Sequence, residues 1–268
     1  KPQGPGRPRT HHVGSPAVLT DEELLRYSRQ ILLQQVDIDG QLKLKNSRVL
    51  IVGLGGLGSP VALYLAAAGV GELHLADFDS VALTNLPRQV IHDSATVGES
   101  KVDSASHRLR LINPHITLVA HRSALDADSL ADVVGAVDLV LDCSDNFATR
   151  EAVNRACVAA RKPLVSGAAI RLEGQLSVFD SRQSASPCYH CLYGHGSEEE
   201  LTCSEAGVIG PLVGVIGSLQ ALEALKVLAG FGEPLVGRLL LVDALSTRFR
   251  ELRVKRDPAC SVCGTGHA

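Results

Sequence analysis

A doubly wound α/β fold is the architecture this sequence predicts, and three observations predict it. Short apolar runs ending in glycine or an acid recur along the first two thirds of the chain, separated by stretches with helical punctuation. A glycine-rich turn follows the first of these runs, where a strand would hand over to a helix. The 45% hydrophobic share across 268 residues supplies ample core, which excludes disordered and fibrous classes. Strand–helix alternation of this kind predicts a mainly parallel sheet with helices on both faces.

The elements follow in order. Residues 1–18, rich in Pro, Gly and Arg without periodicity, read as a disordered tail. Residues 19–268 read as one domain, with 48–167 as its nucleotide-binding core. Thr20 and Glu23 form a capping-box pattern that opens a helix expected to run to about Gln35. Arg48–Gly53 reads as a buried parallel strand, followed by a helix to about Gly69 and a second strand, Glu72–Asp77. Another helix is expected over Glu99–Asn113, then strands near Ile116–Ala120 and Val137–Asp142. A helix over Asn146–Arg161 and a strand at Pro163–Gly167 complete the alternation.

Beyond Gly174 the pattern changes. Gln175–Asp180, Arg238–Ala244 and Phe249–Lys255 read as strands of an antiparallel C-terminal extension. Between the first two, Ser181–Gly207 is aperiodic and rich in Ser, Gly, Glu and Cys, the mark of a functional or mobile loop. Ala206–Gly230 is the most apolar stretch, yet Gln220, Glu223 and Lys226 interrupt it, so it reads as a buried helix. Pro211 suits its first turn and Gly230 its end.

Charge narrows the partners. Lys+Arg 26 against Asp+Glu 29 gives a net charge of −3, with no basic excess to favour nucleic acid. No apolar leader opens the chain, so a cytoplasmic protein without membrane partners is expected. Seven cysteines in that compartment point to metal or catalysis before disulfides.

Gly53-Leu-Gly55-Gly56-Leu-Gly58 satisfies G-x-G-x-x-G between a strand and a helix. Glycines let the backbone turn sharply and approach a phosphate, whose charge the helix N-terminus stabilises. Asp77, closing the second strand, is placed to accept from ribose hydroxyls. The motif alone chooses neither NAD nor ATP. Asn85, Arg88, Gln89 and Lys101 follow, and cations at several points suit a triphosphate better than a pyrophosphate.

Six ordered motifs now carry a resemblance: Arg26-Tyr-Ser-Arg29-Gln30, the glycine turn, Asp77-Phe-Asp79, Thr84–Gln89, Asp142-Cys-Ser-Asp145-Asn146 and Gly210-Pro211. From Leu19 to Gly264 the chain resembles the bacterial ubiquitin-activating-enzyme-like adenylyltransferases, the MoeB/ThiF family. Within it the likeness is greatest to the molybdopterin branch, with the thiazole branch next. The resemblance implies a Rossmann-like domain that uses ATP and Mg2+ to adenylate the C-terminal Gly-Gly of a ubiquitin-like sulfur carrier. It implies Gly56 at the phosphates, Asp77 at the ribose, Asn85, Arg88 and Lys101 around the triphosphate, and Asp145 at the magnesium-bearing centre. Gly53, Gly55, Gly58, Asp79, Thr84, Gln89 and Asn146 join them as nucleotide-binding candidates. Arg29 is the residue that the family lends across a homodimer interface.

The thiols divide into two groups. Cys188-Tyr-His-Cys191 and Cys260-Ser-Val-Cys263 are paired knuckles suited to a closed, structural Zn2+ site, which the resemblance also implies. His190, between them, reads as exposed, and Cys143 and Cys157 as core. Cys203, in the long loop, matches a position that some relatives use for a covalent sulfur linkage. Since the chain ends at Ala268, the resemblance implies a sulfurtransferase or cysteine desulfurase acting in trans. Three rivals remain: an NAD-dependent oxidoreductase, an enzyme adenylating a small carboxylate or tRNA-bound substrate, and a zinc-stabilised binding module.

Overall fold

A computed structural model describes residues 18–194 and 206–264. An eight-stranded sheet runs in the order β3-β2-β1-β4-β5-β6-β7-β8. Its strands are β1 (Arg48–Val52), β2 (Glu72–Ala76), β3 (Thr117–His121), β4 (Leu139–Asp142), β5 (Pro163–Ile170), β6 (Glu173–Asp180), β7 (Arg238–Asp243) and β8 (Arg248–Arg253). The first five pair in parallel, and β6, β7 and β8 extend the sheet antiparallel. This is the doubly wound sheet with the C-terminal extension that the sequence predicts.

Alternation within each strand divides the core. Val49 and Ile51 of β1, with Leu139 and Leu141 of β4, point to one face. That face is covered by α4 (Gly58–Ala68), α5 (Lys101–Ile112) and α9 (Gly210–Ala229). Leu50, Val52 and Val140 point to the other, beneath α6 (Ala127–Ala136) and α7 (Phe147–Ala160). Among the described residues, α9 alone has the length and apolarity of a membrane span. It lies in the core, with Leu212, Ile216, Gln220 and Glu223 buried, starting at a proline and ending in the left-handed Gly230.

The expected helix to Gln35 is broken into two short pieces. The Thr20–Glu23 capping box forms and opens α1 (Asp21–Arg26). Tyr27 then turns inward, 3% exposed, with its hydroxyl accepting from Asn113 Nδ2 at 2.8 Å. Anchoring this ring stops the helix, so α2 (Ser28–Ile31) follows as a separate piece; α3 (Asp37–Lys45), beyond the expected end, is entered through Asp37 at φ 51°. Helices α3, α6 and α8 (Tyr189–Tyr193) have no counterpart in the sequence reading. Gly40 interrupts α3, α8 is a single turn, and α6 rests on a cap in which Asp126 Oδ1 accepts from Ser129 N at 2.9 Å.

Candidate functional site

The site forms where the strand order reverses, at the carboxyl ends of β1, β2 and β4. A cavity of 400 Å³ there gathers Gly53, Gly55, Gly56, Asp77, Asp79, Arg88, Gln89, Lys101, Asp145 and Asn146 from the sequence candidates. Its apolar lining is formed by Val52, Phe78, Leu125, Leu130 and Val153. Such a volume, lined by both apolar and charged side chains, suits a nucleotide.

The turn's shape explains its glycines. Gly53 holds φ 93°, and a Cβ there would come within 2.8 Å of the Cys143 carbonyl. Gly58 starts α4, outside the cavity lining, where a Cβ would strike the Gly53 carbonyl. Asp77 fixes the turn rather than only facing it: one carboxylate oxygen accepts from Leu54 N at 2.7 Å, the other from Asp79 N at 2.9 Å. A carboxylate has about four lone-pair sites, so acceptor capacity is left for a ribose hydroxyl.

Lys101, 5% exposed at the head of α5, donates to Asp79 Oδ2 at 2.8 Å and lies 4.0 Å from Asp77 Oδ2. Two further N–H donors stay available on that ammonium. Arg88 donates to the Thr84 carbonyl at 2.9 Å, and Asn85 Oδ1 accepts from Ala82 N at 2.9 Å. Thr84 and Asn85 therefore shape the turn that carries Arg88, and neither lines the cavity. Gln89 is buried, with its Oε1 lacking a hydrogen-bond partner among the described residues, an orphaned acceptor in a cavity wall.

At the end of β4, Asp142 is fully buried, and burial pushes its carboxyl up, opposed by the nearby Arg150 guanidinium and the Ser144 hydrogen bonds. Ser144 donates to Asp142 Oδ1 from its N–H at 3.0 Å and its hydroxyl at 2.6 Å, while Arg150 Nη2 donates to the Ser144 carbonyl at 3.0 Å. This buried group holds the crossing from β4 to α7. The crossing presents Asp145 to the cavity with no protein partner among the described residues. Asn146 lines the cavity while its Oδ1 caps α7 by accepting from Thr149 N at 2.9 Å. A free carboxylate beside a cationic, phosphate-sized space fits a hard divalent cation such as Mg2+.

Sequence reasoning missed Arg150, which lines the same cavity; its signal is its place one helical turn after the Asn146 cap. Ser123, Ala124 and Leu125 were also missed, since they lie in irregular backbone before α6 and leave no periodic trace. Arg29 is exposed on α2 and does not line this cavity. Cys203 lies outside the described residues, as does most of the stretch around it. Cys143 and Cys157 are buried, and burial pushes both thiols up, as core residues require; Cys143 also borders the cavity.

The four knuckle cysteines converge. Sγ separations are 3.9 Å for Cys188–Cys191, 3.7 Å for Cys188–Cys260 and 3.4 Å for Cys191–Cys263. A tetrahedron with Zn–S near 2.3 Å has sulfur–sulfur edges of about 3.8 Å, so the cluster fits zinc. His190 is not exposed as expected: its side chain is 19% accessible. Nδ1 sits 3.0 Å from Glu151 Oε2 of α7, and Nε2 sits 3.0 Å from Ser261 Oγ between the second pair of cysteines. The ring thus bridges both knuckles to α7. Asn154 of α7 adds a second tie, its Oδ1 accepting from Tyr189 N at 3.0 Å.

Comparison with known proteins agrees with this geometry. Residues 27–262 match the ThiF family. Over 248 residues the chain is 56% identical to the molybdopterin-synthase adenylyltransferase of Escherichia coli K12, spanning 92% of this chain and 99% of that one. It is 47% identical over 250 residues to the same organism's sulfur carrier protein ThiS adenylyltransferase, spanning 93% and 99%. Among solved structures it resembles E. coli MccB crystallised with ATP, at 26% identity and a TM-score of 0.77, covering 89% of this chain and 73% of that one.

Proposed function

The chain belongs to the ThiF family and is an adenylyltransferase, and from that premise we propose that it activates a ubiquitin-like sulfur-carrier protein. Its substrates are ATP and the carrier's C-terminal Gly-Gly carboxylate, and the products serve a molybdopterin or thiamin type pathway. One observation carries the reading: Arg88, Lys101 and an unpartnered Asp145 meet across a glycine turn in a single cavity. An NAD-dependent oxidoreductase would leave that charge without a use.

The nucleophile is a carboxylate with a pKa of about 3.5, ionised at neutral pH, so no general base is needed. Its oxygen attacks the α-phosphorus of ATP; that O–P bond forms as the bond to pyrophosphate breaks, and the electron pair leaves with pyrophosphate. The obstacle is anion meeting anion. Arg88 and Lys101, joined by Arg29 of a partner copy in a homodimer, offset the repulsion and draw off the leaving group. Gly55 and Gly56 cradle phosphate, Asp77 binds the ribose, and Gln89 and Asn146 complete the wall. Asp145 would hold Mg2+, which neutralises phosphate charge when bound.

Residues 19–268 work as one adenylyltransferase unit, with Cys188, Cys191, Cys260 and Cys263 holding a structural Zn2+. A separate sulfurtransferase or cysteine desulfurase supplies sulfur, with Cys203 available for a covalent linkage, in the cytoplasm. The test is ATP–pyrophosphate exchange with a carrier ending in Gly-Gly. Exchange that requires the intact carrier terminus is expected; exchange indifferent to it, or absent with every carrier, overturns the protein-substrate reading. In mixed dimers, Arg29→Ala is expected to silence the site of the unmutated subunit, and loss confined to the mutant's own site would refute sharing.

A further inference from the structure

The residue inside the glycine turn is held on both sides, through each of the two peptides that flank its Cα. Leu54 is fully buried, and its N–H is taken by Asp77 Oδ2 at 2.7 Å. Its carbonyl sits 3.0 Å from His92 Nε2. His92 is itself buried, 6% exposed, with Nδ1 2.8 Å from Ser104 Oγ, one helical turn after Lys101 on α5. A carbonyl can only accept, so Nε2 carries the ring proton, and Nδ1 of the neutral ring accepts from the Ser104 hydroxyl. Neither Leu54 nor His92 lines the nucleotide cavity, whereas Gly55 does.

That arrangement sets the direction of one peptide plane. In a trans peptide the carbonyl and the following N–H point to opposite sides. Drawing the Leu54 carbonyl inward to His92 therefore turns the Gly55 N–H outward, towards the cavity. Among the described residues this N–H has no protein partner. Glycine at position 55 leaves the φ that flanks this peptide unrestricted, so the plane can rotate at little steric cost on that side. A rotated peptide would present a carbonyl oxygen where an anion must sit, replacing attraction with repulsion.

We propose that His92, held by Ser104, is a positioning residue that locks the Leu54–Gly55 peptide with its N–H facing the phosphates of bound nucleotide. The inference rests on the ATP reading of the cavity. His92 touches no substrate; it acts through the turn, and its tie to α5 keeps that turn in register with Lys101.

Because the lock acts only at phosphate, ATP and adenosine separate it from general damage to the pocket. Calorimetric titration of the full chain with each ligand is the measurement. His92→Phe, which keeps the ring's bulk and loses the donor, is expected to weaken ATP by about tenfold or more, the worth of one hydrogen bond to a charged group. Adenosine affinity should stay within about twofold, because it makes no phosphate contact. His92→Gln, whose amide N–H can replace Nε2, should regain most of the loss. Equal losses for both ligands, or ATP binding unchanged in His92→Phe, overturn the lock. If His92→Phe does not fold, Ser104→Ala removes the ring's anchor, and a smaller loss confined to ATP is expected; no loss there overturns the proposal equally. A wild-type chain that binds no ATP overturns the adenylyltransferase reading as well, so the two failures are distinguishable.

Discussion

Strands β1, β2 and β4 are buried along nearly their whole length, whereas β8, at the far edge of the same sheet, is exposed at every position. Helices cover both faces of the parallel strands. In the antiparallel extension, Leu241 and Leu252 share a face that α9 does not cover, Leu252 44% exposed. The difference teaches where each function is housed. Where a parallel strand runs on into a helix, as β1 does into α4 and β4 into α7, it ends against a helix N-terminus and backbone N–H groups collect there for an anion. The β7–β8 hairpin turns straight back and has no helix N-terminus at its bend.

If that division holds, damage should depend on region in a predictable order. The largest effect is expected at the carboxyl ends of the parallel strands, where Asp145→Ala should lower exchange by about a thousandfold with thermal stability unchanged. A normal rate would remove the carboxylate from the reaction. Next comes the cysteine cluster: Cys260→Ser should release the metal and cost about 4 kcal/mol, read by denaturant unfolding alongside zinc content. Retained zinc in that variant would refute a four-cysteine site. Within the buried half, Leu141→Ala should cost about 2–5 kcal/mol. Smallest of all, Leu252→Ala on β8 should move stability by only about 0.5 kcal/mol. Equal costs at Leu141 and Leu252 would dissolve the contrast between the halves.

The same contrast decides what could be read from sequence. Continuous apolar runs such as Val49-Leu-Ile-Val52 announce strands buried on both faces, and the parallel order follows from helices between them. The glycine turn, Asp77 and the cysteine pairs were legible because their chemistry demands particular residue types at short spacing, whereas Asp145 was marked only by the family resemblance. Tyr27 was not legible, because the force that breaks its helix comes from Asn113, far along the chain. Arg150 and His92 escaped for a related reason. Each acts on backbone, through the carbonyls of Ser144 and Leu54, and no local spacing marks such a role. His190 was misread as exposed because Glu151 and Ser261 reach it from distant segments.

Helix α7 serves two clients at once. Its N-terminal end carries Asp145, the Asn146 cap and Arg150 to the nucleotide cavity, and Glu151 and Asn154, on the same rigid rod, hold the cysteine knuckle. Successive residues on a helix are rotated by about 100°, so deleting one residue from 147–149 would swing Asp145 and Asn146 away from the frame that Glu151 and Asn154 fix. A substitution away from these contacts can be absorbed singly, but a change in the helix's length cannot. The spacing between its two sets of contacts is therefore as much a part of the site as the side chains themselves.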